Sequence, residues 1–384
     1  MSWRGTLNWS RRLLVAAVAA TCALAPLPVL AHAQLTGNYP APGALLSSPP
    51  AEVTVSFSET VSPAGHGIHV YAPSGKEVGG QAWPQGFQLI APVEASEPGT
   101  YVVSWQVLAA DTHPSRGAFA FSVIKTSGNR YLGLLSGAEV GTTTPLGLAL
   151  QTLARWLHFA GYALAFGGAA YLALMRRERR LWRLVLVGVA LLLAAEPVGL
   201  LAQLVSLSLD TDTALSVLGS GFGRLLALRV GGALLLWSLL AVESPWPILP
   251  LGAVMALIDG TTDHALSGQP IVGQTLDAIH VAAMSLWAGG LVAFLLAPDR
   301  RFGRVAVPAA GMAVASGLLL AYFHDALPLV RFLPSNYGWA VVLKMTAVAG
   351  AAAVAAFRRR RLEAGLVAAA LLAAALVVSL PPAQ

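Results

Sequence analysis

The sequence predicts a mixed, multi-domain protein. An all-β sandwich of Greek-key or immunoglobulin-like type is followed by an all-α integral membrane bundle of about eight helices. Three observations support this fold class. The 384 residues are 56% hydrophobic and only 11% charged. The long apolar runs begin near residue 148, and several could cross a hydrocarbon core of about 30 Å. Before them, residues 32–125 contain short β-branched runs separated by turn residues, and 126–147 form a polar linker.

Residues 1–31 are typical of a secretory signal peptide, because two arginines precede a short apolar stretch and a small-residue cleavage signal ends at Ala31. Cleavage there leaves His32 as the amino terminus. Its α-amine and Nδ1 can chelate one metal ion, and a second imidazole completes a nitrogen set suited to Cu(II). The only cysteine, Cys22, lies in this leader, so the expected mature chain has no thiolate ligand.

The net charge of +6 does not indicate nucleic-acid binding, because the arginines cluster in short loops between apolar runs. These clusters lie at 176–183, 300–304 and 358–361. Positive loops mark the cytoplasmic side of a membrane protein. Residues 32–125 are mildly acidic, which favours a cation over a phosphate backbone. We therefore expect the chain to contact a lipid bilayer and metal ions, and no nucleic acid.

Residues 32–125 show the strand pattern most clearly in runs such as 53–57 and 101–105, with breaks at Pro49-Pro50 and Pro98-Gly99. A sandwich of about 95 residues fits this spacing. Near its end, Asp111 and His113 are two residues apart. On an extended chain, side chains two residues apart point to the same side, so both can face one ion. The alternative is that they only close a turn before Pro114.

Several segments of this region, in the same order, resemble the CopC copper-binding proteins. They are HAQL at 32–35, PAPGA at 40–44, VSFSE at 55–59, and DTHP at 111–114 with Gly117. The resemblance implies a Cu(II) site formed by the amine and imidazole of His32 and by the His113 imidazole, with Asp111 nearby. The exported region has no methionine, so it lacks the Met-rich Cu(I) site of some CopC proteins. His66 and His69 fall outside the family pattern and are either surface residues or an accessory metal site.

The region 148–384 contains eight apolar segments. Their spans are 150–174, 184–207, 222–242, 247–259, 276–297, 304–325, 337–356 and 363–381. The fourth is short and bounded by prolines. With residues 32–125 outside, eight crossings place all three arginine clusters in the cytoplasm. We expect a multi-pass protein of the bacterial cytoplasmic membrane with its amino-terminal domain in the periplasm or outside the cell.

An internal duplication is indicated by equal spacings in the first and fifth segments. His158 is followed by Gly167-Gly168, and His280 by Gly289-Gly290 at the same distance. The third and seventh segments also share an equal residue spacing. The pattern predicts two parallel repeats of four helices each, related by an axis along the membrane normal.

All eight histidines are expected on, or open to, the outer side. His158, His280 and His324 lie about 18 to 20 residues from the nearest cytoplasmic charge, roughly 27–30 Å along a helix. His264 falls in an external loop. A buried imidazole is costly in a bilayer unless it is paired or functional, so His158 and His280 are predicted metal ligands.

Other side chains could support that membrane site. Asp277, His280 and Met284 share one helical face, which would combine a carboxylate, an imidazole and a soft thioether. Alternatively, Met284 only packs and Asp277 is an interfacial cap. Glu196 could be a way-station for metal or a proton carrier, or it could neutralise Arg229.

This helical region resembles the CopD copper-resistance membrane proteins. The segments that carry the resemblance are RWLH at 155–158 with the following glycine pair, FGR at 222–224 extending to Arg229, His280 with WAGG at 287–290, and YG at 337–338 extending to LK at 343–344. Met284 is not a regular position of that family. A CopC–CopD fusion is similar to proteins implicated in copper acquisition and in copper resistance.

These features together predict a non-enzymatic copper protein. It would capture Cu(II) outside the membrane, pass it to the membrane histidines as Cu(I) or Cu(II), and import it, with a role in copper homeostasis or resistance. A copper chaperone is a further candidate partner. Two alternatives remain: a membrane-anchored copper storage or sensing protein without transport, and a histidine-brace copper oxidase or monooxygenase.

Overall fold

The computed structural model describes residues 35–109, 114–137, 144–175, 178–260, 270–323, 333 and 335–380. Five residues with predicted roles lie outside these ranges. They are His32, Asp111, His113, His264 and His324.

The amino-terminal region is a sandwich of two four-stranded sheets. Its strands are β1 Leu35–Tyr39, β2 Leu45–Leu46, β3 Glu52–Phe57, β4 Val61–Tyr71, β5 Trp83–Gln85, β6 Gln88–Pro92, β7 Gly99–Ala109 and β8 Pro114–Val123. One sheet has the order β1-β3-β6-β5 and the other β2-β8-β7-β4. All pairs are antiparallel except β2 with β8. The predicted β-sandwich is confirmed.

The two sheets pack through alternating apolar side chains, as the strand period requires. Trp105 on β7 is 1% exposed and meets the edge of the Phe57 ring, with ring centroids 5.2 Å apart. A Cβ at Gly117 on β8 would lie 2.5 Å from the Trp105 ring, so only glycine leaves room for the indole. The core of the sandwich therefore lies around this tryptophan.

The segment after β8 belongs to the sandwich, although the sequence assigned it to a linker. The Asn129 side-chain amide donates hydrogen bonds to the backbone carbonyls of Tyr71, Ala72 and Thr100. These carbonyls lie on and just after β4 and at the start of β7. The single amide therefore fixes the chain after β8 onto the sheet edge.

The remainder of the described chain is helical. Its helices are α1 Pro145–Leu174, α2 Arg179–Ser206, α3 Thr211–Gly219, α4 Gly221–Leu240, α5 Ile248–Asp259, α6 Pro270–Leu296, α7 Gly303–Phe323, α8 Asn336–Ala356 and α9 Arg360–Ser379. Among the described residues, seven of these are long and apolar enough to cross a membrane, and α5, with 12 residues, is shorter. The expected helical region is confirmed, while eight crossings in a 4+4 arrangement stay a prediction.

Two details differ from the expected helix bounds. Helix α1 begins five residues before the predicted start, because Thr144 caps it by accepting a hydrogen bond from the Gly147 amide. Helix α3 was not predicted, since its nine residues fall in a loop between two long apolar segments. Its Asp210 cap accepts from the Thr213 amide, and hydrogen bonds, first from the Ser208 side chain and next from the Thr213 amide, lower the pKa of Asp210.

Close helix crossings depend on glycine. Helix α1 contains a wide π-helical turn at Ala163–Gly167, and there it crosses α6. A Cβ at Gly167 would lie 2.1 Å from the Ser285 carbonyl oxygen, and one at Gly289 would lie 1.8 Å from that of Ala163. Both positions must therefore be glycine for the two backbones to touch. These are the equivalent glycines of the predicted repeat.

Candidate functional site between the helices

A buried polar cluster centres on His158 of α1, which is 5% exposed. Its Nε2 lies 2.9 Å from Oδ2 of Asp259, the last residue of α5. Arg229 of α4 donates from Nε to the other oxygen of Asp259 at 2.7 Å. Nδ1 of His158 lies 3.4 Å from Oε1 of Glu196 on α2. Four helices thus contribute one ionisable group each.

Local packing brings these groups together. The Tyr162 hydroxyl, one helical turn after His158, donates to the Gly252 carbonyl and holds α5 against α1. On the other side, a Cβ at Gly188 of α2 would lie 2.3 Å from the Ala165 nitrogen, so α2 approaches α1 closely. These contacts bring Asp259 and Glu196 to opposite edges of the His158 ring.

The two nitrogens of His158 have different chemical roles. A carboxylate only accepts hydrogen bonds, so Nε2–H donates to Asp259. In the neutral ring, Nδ1 then carries a lone pair that faces the carboxylate of Glu196. Two electron-rich atoms at that distance attract a proton or a metal cation between them. Asp259 is already engaged by Arg229, so the pair of Nδ1 and Glu196 is the part of the cluster suited to binding.

This pair lies in a cleft of about 610 Å³, counting its open mouth. Besides His158 and Glu196, the lining includes the polar side chains of Gln151, Arg155, Gln203 and Arg229. Gln151 is 5% exposed, and among the described residues neither atom of its side-chain amide has a hydrogen-bond partner. Buried amides are normally paired, so this one points to a guest such as water or a hydrated ion in the cleft.

The corresponding place in the second half is simpler. Nδ1 of His280 on α6 lies 3.1 Å from the Ser316 hydroxyl on α7. Lys344 of α8 lies near enough to Asp277 and His280 for their charges to interact. Met284 is half-buried and packs against the apolar core of the bundle. The hydroxyl of Ser316 thus lies at Nδ1 of His280, the same ring nitrogen that faces Glu196 in His158.

The structure brings only some of the predicted site residues together. His158 meets Glu196, whereas His280 has partners on α7 and α8. Within the described part of the chain, no three His, Cys, Asp or Glu side chains are arranged to hold a metal ion. The metal roles of His158, His280 and Met284 therefore stay predictions. Arg229, which Glu196 could have neutralised, pairs with Asp259.

Asp259 was missed by the sequence analysis. It was counted only as the end of a short apolar segment, and its partner His158 lies 101 residues earlier in the chain. One signal was available, because an ionisable residue at the end of an otherwise apolar stretch is a candidate functional residue.

The sandwich rests on the helices through a small apolar contact, here called the docking contact. Its buried members are Ala64 on β4, Leu108 on β7, Leu207 after α2 and Val217 on α3. Phe222 of α4 packs against this contact and also lines the cleft that holds His158. The end of the sandwich that carries Leu108 is therefore next to the mouth of the cleft.

A β-sandwich joined to a bundle of apolar helices with a polar cleft defines the class as a membrane protein with a fused β-domain. Residues 35–124 match the family model described as the CopC domain. Protein YobA of Escherichia coli strain K12 is 35% identical over 121 residues, which cover 30% of this chain and 96% of YobA. The chain therefore belongs to the CopC-domain family through this region.

Two further relatives are similar to different extents. Copper transport protein CutJ of Bacillus subtilis strain 168 is 25% identical over 374 residues, covering 83% of this chain and 66% of that protein. Copper resistance protein C of Xanthomonas campestris pv. juglandis is 29% identical over 123 residues, covering 29% of this chain and 96% of that protein. The likeness to CutJ thus extends into the helical region.

Proposed function

We propose that this protein captures Cu(II) with its CopC domain outside the cytoplasmic membrane and imports copper through the helical bundle. The observation that carries the proposal is the docking contact. Leu108 lies three residues before Asp111 in the chain, and Phe222 joins the same contact to the cleft of His158. This arrangement supports direct transfer from the sandwich to the bundle, and the proposed function gives neither region an enzymatic role.

For capture, we propose the amine and imidazole of His32, the imidazole of His113, and Asp111 nearby. The CopC-domain match and the copper-related names of CutJ and copper resistance protein C support copper as the ion. Nitrogen ligands in such a set suit Cu(II).

For passage, we propose that His158 Nδ1 and Glu196 form a way-station within the cleft. These two groups alone, with the Asp259 carboxylate already bound by Arg229, favour a passing ion over a stored one, because a tight copper site needs more ligands. The inward direction is supported by the arginine clusters, because positive loops are typical of the cytoplasmic side of a membrane protein and these loops lie at the end of the bundle away from the proposed capture site.

The test is copper uptake by vesicles that contain the purified full-length chain with its sandwich outside, as checked by protease access. Native protein should take up copper, and the His158→Ala/His280→Ala variant should not. Thr152→Ala serves as the matched control, since Thr152 lies on the same helix and bonds only to its own turn. Equal uptake by the native protein and the double variant contradicts import. Mass spectrometry of the mature protein must also find His32 at its amino terminus.

A further inference from the structure

Strand β4 contains a bulge that puts two histidines on one face. In a regular strand, residues three apart point to opposite faces. Between Pro63 and Ile68, however, the pairing of β4 with β7 shifts register. Gly65 and Gly67 have φ angles of +59° and +75°, a left-handed conformation that favours glycine. The extra backbone brings His66 round to the side of His69.

The two imidazole rings lie at a distance suited to a shared ion. The ring centroids of His66 and His69 are 5.5 Å apart, with the ring planes tilted by 38°. Two imidazoles whose nitrogens bind one ion at about 2 Å have centroids about 4.5 Å apart at a right angle, as in tetragonal Cu(II), and about 5 Å apart at a tetrahedral angle, as in Zn(II). The observed spacing of the two centroids is therefore within about 1 Å of both arrangements.

Glu77 fixes the orientation of one ring. Its Oε1 lies 2.5 Å from Nδ1 of His69, and the two side chains are 29% and 42% exposed. Because a carboxylate only accepts, Nδ1–H donates, and Nε2 of the neutral ring keeps its lone pair for a metal. A carboxylate on the second nitrogen is the usual partner of a metal-binding histidine.

The neighbouring phenol does not compete for this role. The ring of Tyr71 is stacked on that of His69, with centroids 6.2 Å apart. The same ring is also stacked on that of Tyr131, with centroids 3.9 Å apart, so Tyr71 serves here as a packing residue. The metal-binding groups at this face are therefore the two imidazoles.

We propose that His66 and His69 form a second, solvent-open metal site on the sandwich. It takes a divalent transition-metal cation, with Cu(II) preferred over Zn(II), while Glu77 positions His69 and water completes the coordination. Imidazole suits both ions, and Cu(II) is bound more strongly than Zn(II) by a given set of nitrogen ligands. The site goes beyond the proposed function, because it uses none of the residues proposed for capture or passage.

The experiment is equilibrium dialysis of the untagged full-length protein against Cu(II) alone and against Zn(II) alone. The His66→Ala/His69→Ala variant should bind one ion fewer per chain than the native protein. Glu77→Gln should keep the number of ions and weaken this site by about 10- to 100-fold. Glu52→Gln, which removes an exposed carboxylate from the other sheet, should match the native protein.

Two further experiments test whether the lost ion belongs to this site rather than to the capture site, and whether the loss comes only from misfolding of the variant. When His113→Ala is also present, the His66→Ala/His69→Ala change should still reduce the number of bound ions per chain by one. This result is expected whether or not the residues proposed for capture are the correct ones. In the native chain, diethyl pyrocarbonate should modify His66 and His69, and Zn(II) should protect both, as read by peptide mass spectrometry. Equal metal stoichiometry in the native protein and the double variant, or modification unaffected by Zn(II), overturns the proposal.

Discussion

The two halves of the helical bundle place different chemistry at corresponding positions. Next to His158 lie two carboxylates and an arginine, whereas the ring of His280 faces the hydroxyl of Ser316. The backbone contact between the halves, in contrast, is similar on both sides. Gly167 of α1 meets the backbone of α6, and Gly289 of α6 meets the backbone of α1. The predicted duplication stays a prediction, but the glycine contacts agree with it, whereas the polar groups beside the two histidines differ.

The two halves should therefore also differ in how strongly their stability depends on polar contacts. The charged cluster of the first half lies in an open cleft beside the docking contact. Buried charges are stable only when each has a partner, so this half should depend strongly on its ion pairs. In the second half Lys344 and Asp277 also interact, but the contact of His280 with Ser316 is one hydrogen bond and should matter less than the ion pairs around Asp259.

The largest expected effect is that of Asp259→Ala. It leaves the Arg229 guanidinium and the His158 ring without their shared carboxylate in a buried place, and we expect a loss of about 3 to 5 kcal/mol of stability. Ser316→Ala, the corresponding test in the second half, removes one hydrogen bond to His280 and should cost about 1 kcal/mol. Chemical denaturation of both variants in the same detergent gives the two values. Similar losses for the two variants would contradict the contrast between the halves.

The crossing of the two halves can be broken at Gly289. An alanine there would place its Cβ 1.8 Å from the Ala163 carbonyl oxygen, so α1 and α6 must separate. We expect Gly289→Ala to cost about 1 to 3 kcal/mol. Gly311→Ala on α7 is the control, because a Cβ there meets no described atom within 4 Å. That change should stabilise the helix by up to about 1 kcal/mol. Thermal unfolding measures whether each variant is less stable or more stable than the native protein.

An effect of the same size, confined to one contact, is expected at the link between the sandwich and the first half. Val217 is fully buried in the docking contact, while Leu215 on the same helix is 63% exposed. Val217→Asp should expose Leu108 and Ala64 and loosen the contact by about 1 to 3 kcal/mol. Leu215→Asp should change little. Hydrogen exchange at β4 and α3 measures the loosening, and equal protection in both variants would show that the contact carries no energy.

Much of the fold could be predicted because its signals are local. The short β-branched runs of the sandwich and the long apolar segments of the bundle are visible within windows of a few tens of residues. The equal spacing of His158 to Gly167 and of His280 to Gly289 also singled out these glycines, although only as signs of a repeat. The structure adds that these two glycines meet each other.

The candidate site was less predictable because its contacts are long-range. His158 and Glu196 were singled out by the cost of burying ionisable groups in lipid. Their arrangement depends on how α5 docks against α1 through Tyr162, which no local pattern reports. Similarly, His66 and His69 face each other only because of a bulge, whereas a regular strand would separate them.

The docking contact also affects how often an ion released by the sandwich would meet the cleft. A ligand released at the Leu108 end of the sandwich starts next to the cleft, within the same molecule. Tethered partners of this kind meet at effective concentrations on the order of millimolar. A soluble carrier present at micromolar levels would encounter the same opening roughly a thousand times less often. Under the proposed function, the covalent fusion therefore gives the attached domain a kinetic advantage over a donor that diffuses at micromolar concentration.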